Sequence, residues 1–254
     1  MVRHTDAEVS SFTKELQLIR MDGINSFAYQ ILPAISIEKG VVFQKFIFFN
    51  QQLSYAAQML IDAYKTSYDG NNNDDKLVLW RRCAYLFSAI VQYNSFYDYI
   101  YQMLYFHLSM YKKYPKTKNK FLTKDINSKN DVIEISKKVN NSLITVINNY
   151  LKKDNSLLAL AQNLSNYQTK TKHLRELAND IKHRAGVSVD GIYLERKVSA
   201  KAKNQNSGIE SSYEIVKPEI IIIEDEINYL KEVHQELLSI IKQLYGIFEL
   251  PKLS

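Results

Sequence analysis

Residues 75–114 read DKLVLWRRCAYLFSAIVQYNSFYDYIYQMLYFHLSMYKKY, with apolar residues at helical spacing. This spacing predicts one long α-helix that stops before Pro115. Four tyrosines follow one another through it in four-residue steps and therefore form a single stripe: Tyr93, Tyr97, Tyr101 and Tyr105. Such a stripe usually packs in a core. A surface on which nucleic-acid bases stack is the alternative.

Apolar spacing predicts further helices outward from this segment, over residues 6–20, 43–68, 132–150 and 156–185, and from about residue 224 with an apolar stripe that reaches Phe248. The helix over 156–185 is expected to break near Tyr167 and to end at Gly186 in a left-handed cap. Only seven glycines and four prolines occur among 254 residues. This is too few for the frequent turns of a sandwich, barrel or propeller, so an all-α fold is predicted.

Residues 187–223 contrast with the helices. Short β-branched runs are separated there by the polar residues 204–208, which favours a small β-ribbon or extended arm. We find no linker that divides the chain. We therefore predict an N-terminal peripheral segment, 1–42, and one helical domain, 43–254, into which 187–223 is inserted.

Several classes of function are excluded by composition. The single cysteine, Cys83, rules out disulfide frameworks and cysteine-rich zinc modules, and no two histidines have the spacing of a zinc pair on a helix. No phosphate-binding glycine loop is present. We therefore expect no metal and no cofactor. The absence of a secretory signal and of about 20 mainly apolar residues in a row predicts a cytoplasmic protein that does not span the membrane.

The charge of the chain is unevenly distributed around a net +6. Residues 112–138 carry nine lysines against three acids, residues 170–203 nine bases against four acids, and residues 214–236 seven acids against two lysines. Clustered bases release counterions from a phosphate backbone, so RNA is the expected partner. The alternative is a lysine-rich surface that only faces solvent. The basic loop 112–124 could guide RNA, contact a partner or do neither.

One helix face combines the groups that phosphodiester chemistry needs. Lys172, Arg175, Asn179 and His183 fall within an arc of about 80°, opposite an apolar side formed by Leu174, Leu177, Ala178, Ile181 and Ala185. A histidine can exchange a proton with a ribose 2′-hydroxyl or a leaving oxygen, and a guanidinium can hold developing negative charge. A solvated polar face with one histidine is the more common case of such a pattern.

The run 177–184, LANDIKHR, resembles the signature helix of the HEPN superfamily. The segments 93–98 and 216–219 add a likeness to its Cthe-2314-like branch. The resemblance implies an antiparallel helical bundle, frequently a homodimer, in which the motifs of two subunits line one cleft. Many members are metal-independent RNA endonucleases of toxin, abortive-infection or antiviral defence systems, and others bind RNA or nucleotides without cutting.

The resemblance implies roles for particular residues. His183 is expected to act as acid or base and Asn179 to position the substrate. Ala178 stands where the family has arginine, so either Arg175 or Arg184 substitutes for that cation, or the site is degenerate. Helical geometry favours Arg175, which shares the stripe of His183, as the phosphate clamp.

Further residues are expected to support this site. Lys172, Lys182 and Arg184 are predicted to bind RNA, and Asp98 on a neighbouring helix to orient His183. An ordinary solvent-facing or packing carboxylate is the alternative for Asp98. The competing functions are a non-catalytic module that binds RNA, nucleotide or an antitoxin or other defence-system partner, and a purely structural helical partner.

Overall fold

Helices dominate the computed structural model, which describes residues 2–16, 37–68, 74–113, 128–136, 141–183, 186–192, 200–203, 210–213 and 218–248. The helices are α1 Asp6–Glu15, α2 Ile37–Tyr64, α3 Asp75–His107, α4 Met110–Lys113, α5 Lys129–Ser136, α6 Asn141–Lys153, α7 Leu158–Lys170, α8 Lys172–His183 and α9 Ile223–Ile247. The strands are β1 Val187–Val189, β2 Ala200–Lys203, β3 Glu210–Tyr213 and β4 Glu219–Ile221. The predicted all-α fold is confirmed.

Helix α3 is the centre of the bundle, with α2, α6, α8 and α9 packed around it. It runs antiparallel to α2: the Phe49 and Phe96 rings lie 5.1 Å apart, while farther along the Arg82 Nε donates to the Ala63 carbonyl at 2.7 Å. In the tyrosine stripe, Tyr93, Tyr101 and Tyr105 are fully buried. Packing in the core, rather than stacking of bases, is therefore the role of most of this stripe.

The predicted helix over 75–114 is interrupted. Helix α3 ends at His107, and α4 begins only at Met110. Between them Ser109 has φ of 49°, in the left-handed region that a right-handed helix cannot include. The backbone N–H of Ser109 donates instead to the Phe106 carbonyl at 3.0 Å, three residues back, which tightens the turn.

Other helix boundaries also differ from the prediction. Helix α2 covers Ile37–Tyr64 rather than 43–68, and the predicted helix over 132–150 corresponds to α5 and α6, with 137–140 outside the described residues. The break expected near Tyr167 lies at Thr171. Thr171 has φ of −84° and ψ of 12°, and this departure of ψ from the helical value separates α7 from α8. Gly186 has φ of 89°, as expected for a left-handed cap.

The strands form two small pairs within the region predicted to contain a β-ribbon. Strands β2 and β3 are antiparallel, with Ala200 opposite Tyr213. Strands β1 and β4 are parallel, with Val189 opposite Ile221. The second pair places the end of α8 beside the start of α9, since β1 follows α8 and β4 precedes α9.

The amino-terminal helix contributes to the core. Thr5 and Glu8 form a capping box at the start of α1, and Phe12 and Leu16 are buried. His4 stacks on Tyr64 of α2, with ring centroids 3.9 Å apart. Residues 17–36 lie outside the described part of the chain, so the domain division at residue 42 stays a prediction. None of the described helices is long and apolar enough to cross a bilayer.

Candidate nucleic-acid interface

Helix α8 is divided into two faces as its sequence predicts. Leu174, Leu177 and Ala178 are buried against α3 and the rest of the bundle, while Lys172, Asn179 and Lys182 are exposed. Ile181 is half-buried, and Ala185 lies outside the described residues. The polar face is therefore open to solvent in the described part of the chain.

Arg175 is held by neutral groups alone. Its guanidinium donates to the Thr171 hydroxyl at 3.0 Å and to the Gln168 carbonyl at 2.9 Å, and it lies 6.0 Å from the centre of the Tyr97 ring. The side chain is half-buried. Among the described residues no carboxylate pairs with it, so the positive charge of Arg175 is uncompensated.

The same contacts aim Arg175 toward the start of α8. Residues 168 and 171 precede it, whereas residue 183 lies eight positions later, about 12 Å along the helix axis. The backbone of His183 closes α8. Its side chain and the whole of Arg184 lie outside the described residues, so the expected pairing of Arg175 with His183 stays a prediction.

Asp98 of α3 lies beside the last turn of α8. Partial burial raises the pKa of Asp98, and the positive charge of Lys182 acts in the opposite direction. Asp98 is nevertheless one of the exposed residues of α3. The charge of Lys182, next in sequence to His183, therefore acts on Asp98. Arg175 lies near the other end of the helix.

Tyr97 beside Arg175 and its neighbour Tyr101 belong to the tyrosine stripe, for which core packing was predicted and base stacking was the alternative. The Tyr97 and Tyr101 rings are 4.6 Å apart, and the Tyr101 hydroxyl donates to Asn148 Oδ1 at 2.6 Å. Burial raises the pKa of both tyrosines, which keeps their hydroxyls protonated at neutral pH. The tyrosine stripe was visible in the sequence, whereas nothing in the local pattern of α6 singles out Asn148.

A second imidazole on α8 has a carboxylate partner. His173 Nε2 lies 2.9 Å from Oε1 of the buried Glu226, and its ring meets Tyr229 edge-on with centroids 5.4 Å apart. His173 and Arg175 are two positions apart, so they project about 160° apart around the helix. This pair therefore joins α8 to α9 and is separate from the face that carries Arg175.

The described residues offer little else for binding chemistry. They contain no group of three or more His, Cys, Asp or Glu side chains placed to hold a metal ion. A groove of about 400 Å³ lies where α6 ends and α7 runs past it. It is lined by Lys152, Leu158, Ala161, Gln162, Ser165 and Asn166. With one lysine and no carboxylate or imidazole, this lining presents no acid–base pair.

Comparisons with protein-family models, with curated proteins and with solved structures find no match to this chain. The resemblance to the HEPN superfamily therefore rests on the residues of α8 and its neighbouring segments alone.

Proposed function

We propose that the exposed face of α8 binds RNA through its phosphate groups, with Arg175 and Lys182 as the principal cations. One observation carries this proposal: the half-buried guanidinium of Arg175 has only a hydroxyl, a carbonyl oxygen and an aromatic ring as described partners. Removing a charge from water is costly unless an opposite charge compensates it. A phosphate oxygen would supply that compensation.

Lys182 extends the same face toward the end of α8. It is exposed and makes no ion pair with any described residue, although the charge of Asp98 is near. Lys172 at the other end is less available to bind a phosphate, because its Nζ lies 3.8 Å from Glu176 Oε1. Cations spread over three turns of one helix suit a ligand with several phosphates, such as an RNA strand.

Cleavage of the bound strand is the second candidate function. The charge of Lys182, the residue before His183, acts on Asp98, and an imidazole at position 183 would act as acid or base on a 2′-hydroxyl. However, Arg175 is held at the other end of α8, which favours binding without scission in a single chain. Under this proposal an antitoxin or other defence-system partner would act on the RNA that α8 binds.

The binding proposal is tested by fluorescence anisotropy with a labelled single-stranded RNA at several salt concentrations. We expect Arg175→Gln to weaken binding by at least about tenfold and to reduce the salt slope by about one. Arg81→Gln is the matched control, because Arg81 also lies over a tyrosine, at 5.4 Å from the Tyr68 ring. Equal losses in the two variants, or no binding by the unaltered chain, would contradict the proposal.

Scission is tested separately by incubating the same RNA with the protein in EDTA. Cutting that disappears in His183→Ala assigns the acid–base role to His183. Equal cutting by the unaltered chain and His183→Ala points to a contaminating nuclease. Binding without any cutting identifies a non-catalytic RNA-binding module.

A further inference from the structure

Helix α7 presents a neutral polar surface in a lysine-rich chain. Residues 155–169 contain no Asp, Glu, Lys or Arg, although 24% of the chain is charged. Solvent-facing helix surfaces ordinarily carry charged side chains opposite their apolar stripe. On α7 the exposed side chains instead include the amides of Gln162 and Asn166 and the hydroxyl of Ser165. This surface can exchange neutral hydrogen bonds with a ligand.

The groove between α6 and α7, with a volume of about 400 Å³, is lined by these three side chains. An apolar patch lies beside them, formed by Leu158, which is 40% exposed, and the buried Ala161. Lys152 of α6 adds a positive charge to the lining. An apolar surface edged by amide donors and acceptors suits a flat heterocycle, because the ring packs on hydrocarbon while its edge forms hydrogen bonds.

On the α7 side, the groove leads to Arg175. Ala161, Ser165 and Gln168 follow one another at four and three residues, so they share one stripe of α7. The first two line the groove, and the carbonyl of the third accepts from the Arg175 guanidinium at 2.9 Å. One helical turn, or about 5 Å along the axis, therefore separates Ser165 in the groove from the residue that holds Arg175.

On the α6 side, the groove leads to the same place. Lys152 lines the groove, and Asn148 lies one turn before it on α6. Asn148 Oδ1 accepts from the Tyr101 hydroxyl at 2.6 Å, and the Tyr101 ring is 4.6 Å from the Tyr97 ring. Arg175 lies 6.0 Å from the centre of that Tyr97 ring. Both walls therefore connect the groove with the surroundings of Arg175.

We propose that the groove holds a base of the RNA strand whose phosphate Arg175 binds, with Gln162 and Asn166 hydrogen-bonded to the edge of that base. A base-reading role for the groove rests on the proposed RNA binding and gives that binding a sequence preference. Proteins recognise single-stranded RNA largely through unstacked bases, which they hydrogen-bond along their edges. An amide side chain pairs with a donor and a neighbouring acceptor at once, as adenine presents them.

The composition of the lining distinguishes a base from other occupants. Phosphate groups favour clustered cations, whereas Lys152 is the only charged group among the described residues of the lining. A volume of about 400 Å³ lies at the lower end of sites for small ligands, which suits one nucleoside rather than a segment of a protein. The strand therefore places a base in the groove and its phosphates outside, where Arg175 lies.

Fluorescence anisotropy with two labelled oligomers of equal length tests the groove. Oligoadenylate carries bases, and an abasic ribose-phosphate oligomer offers phosphates alone. We expect the unaltered chain to bind oligoadenylate at least about tenfold more tightly than the abasic oligomer. The double variant Gln162→Ala, Asn166→Ala should lose most of this preference and bind the abasic oligomer as the unaltered chain does. Arg175→Gln should weaken the binding of both oligomers.

Gln235→Ala is the matched control, because Gln235 is an exposed amide of α9 outside the groove. It should leave both affinities unchanged, and circular dichroism should show native helix content in every variant. Equal binding of the two oligomers by the unaltered chain, or full preference in the double variant, would overturn the base-reading role. Failure of the phosphate site alone looks different, since Arg175→Gln would then bind both oligomers normally. Absence of binding to either oligomer would overturn both proposals.

Discussion

The imidazole Nδ1 of His234 on α9 lies 2.8 Å from the hydroxyl of Tyr93 on α3, inside the bundle. The other ring nitrogen of His234 lies 2.6 Å from the carbonyl oxygen of Leu16, just after α1. One buried side chain thus joins three helices that are far apart in sequence. Burial lowers the pKa of His234 to about 4, so the ring is neutral at physiological pH.

We expect this histidine to make the protein acid-sensitive. Its ordinary pKa is 6.5, so between pH 6.5 and about 4 the unfolded chain binds a proton that the folded chain does not. The free energy of unfolding should therefore fall as pH is lowered through this window, by on the order of 1 kcal/mol per pH unit. Urea denaturation at a series of pH values measures this slope.

His234→Gln keeps an amide able to donate to the Leu16 carbonyl but cannot titrate. We expect it to be less stable at pH 7 by about 1–2 kcal/mol and to show a shallower slope between pH 6.5 and 4. A variant whose slope equals that of the unaltered chain would show that other groups cause the acid sensitivity.

Arg82 of α3 and Glu224 of α9 form an ion pair in which the guanidinium is buried. Arg82 is 1% exposed, and its Nη1 lies 2.8 Å from Glu224 Oε1. We expect Glu224→Gln to lower the free energy of unfolding at pH 7 by about 3 kcal/mol, because it leaves a buried guanidinium without a counter-ion. The double variant Arg82→Met, Glu224→Gln should lose less than the sum of the two single variants, and an additive result would contradict the pairing.

The stability contributed by Glu224 should also depend on pH. Burial tends to raise the pKa of Glu224, but the hydrogen bond and charge of Arg82, with His4, bring it below its ordinary value of 4.5. The contribution is therefore complete above pH 4.5 and is lost as pH falls through the lower folded pKa. Chemical denaturation should show the difference between the unaltered chain and Glu224→Gln shrinking below pH 4.5.

Arg175 should contrast with Arg82. Its guanidinium has no described carboxylate partner and is half-buried, so we expect Arg175→Gln to cost less than about 1 kcal/mol of unfolding free energy. Arg82→Gln should cost about 3 kcal/mol. Urea denaturation of the two variants and the unaltered chain measures both losses of unfolding free energy. Equal losses would mean that Arg175 has a structural role rather than a binding role.

Two glycines with positive φ provide a matched pair. Gly186 and Gly191 have φ of 89° and 86°. A Cβ at residue 186 meets nothing within 4 Å, whereas one at residue 191 would lie 3.2 Å from Leu79 Cδ2. We expect Gly186→Ala to cost about 1 kcal/mol from backbone strain alone and Gly191→Ala to cost more, as measured by thermal denaturation. Leu79→Ala removes the Cδ2 atom that the new Cβ would meet. In the Leu79→Ala background, Gly191→Ala should therefore lose the part of its cost that comes from this contact.

Helical periodicity carried most of the fold prediction. The spacing of apolar residues correctly indicated α3, the burial of its tyrosines and the two-faced character of α8, because these depend on residues within a few turns. The helix breaks were less predictable. Ser109 adopts φ of 49° although serine has no special preference for it. Thr171 separates α7 from α8 with ψ of 12°, although threonine is also tolerated inside helices.

The candidate site was only partly predictable. Local spacing grouped Arg175 with His183, but the Arg175 side chain reaches back to Thr171 and Gln168 and lies near Tyr97, 78 positions earlier. The proximity of Asp98 to Lys182 likewise required α3 and α8 to pack together. Helical angles define which side a residue occupies, while the partners available to a long side chain depend on neighbouring helices.

The sequence by itself determined an all-α chain with a short ribbon, a buried aromatic stripe and one basic polar helix face, since each follows from periodicity and composition. Only the tertiary structure decided which buried polar groups meet, such as His234 with Tyr93 and Arg82 with Glu224. It also decided that no carboxylate of the described residues pairs with Arg175. The physical reason is that burial and pairing depend on distances between segments remote in the chain, which local patterns do not contain.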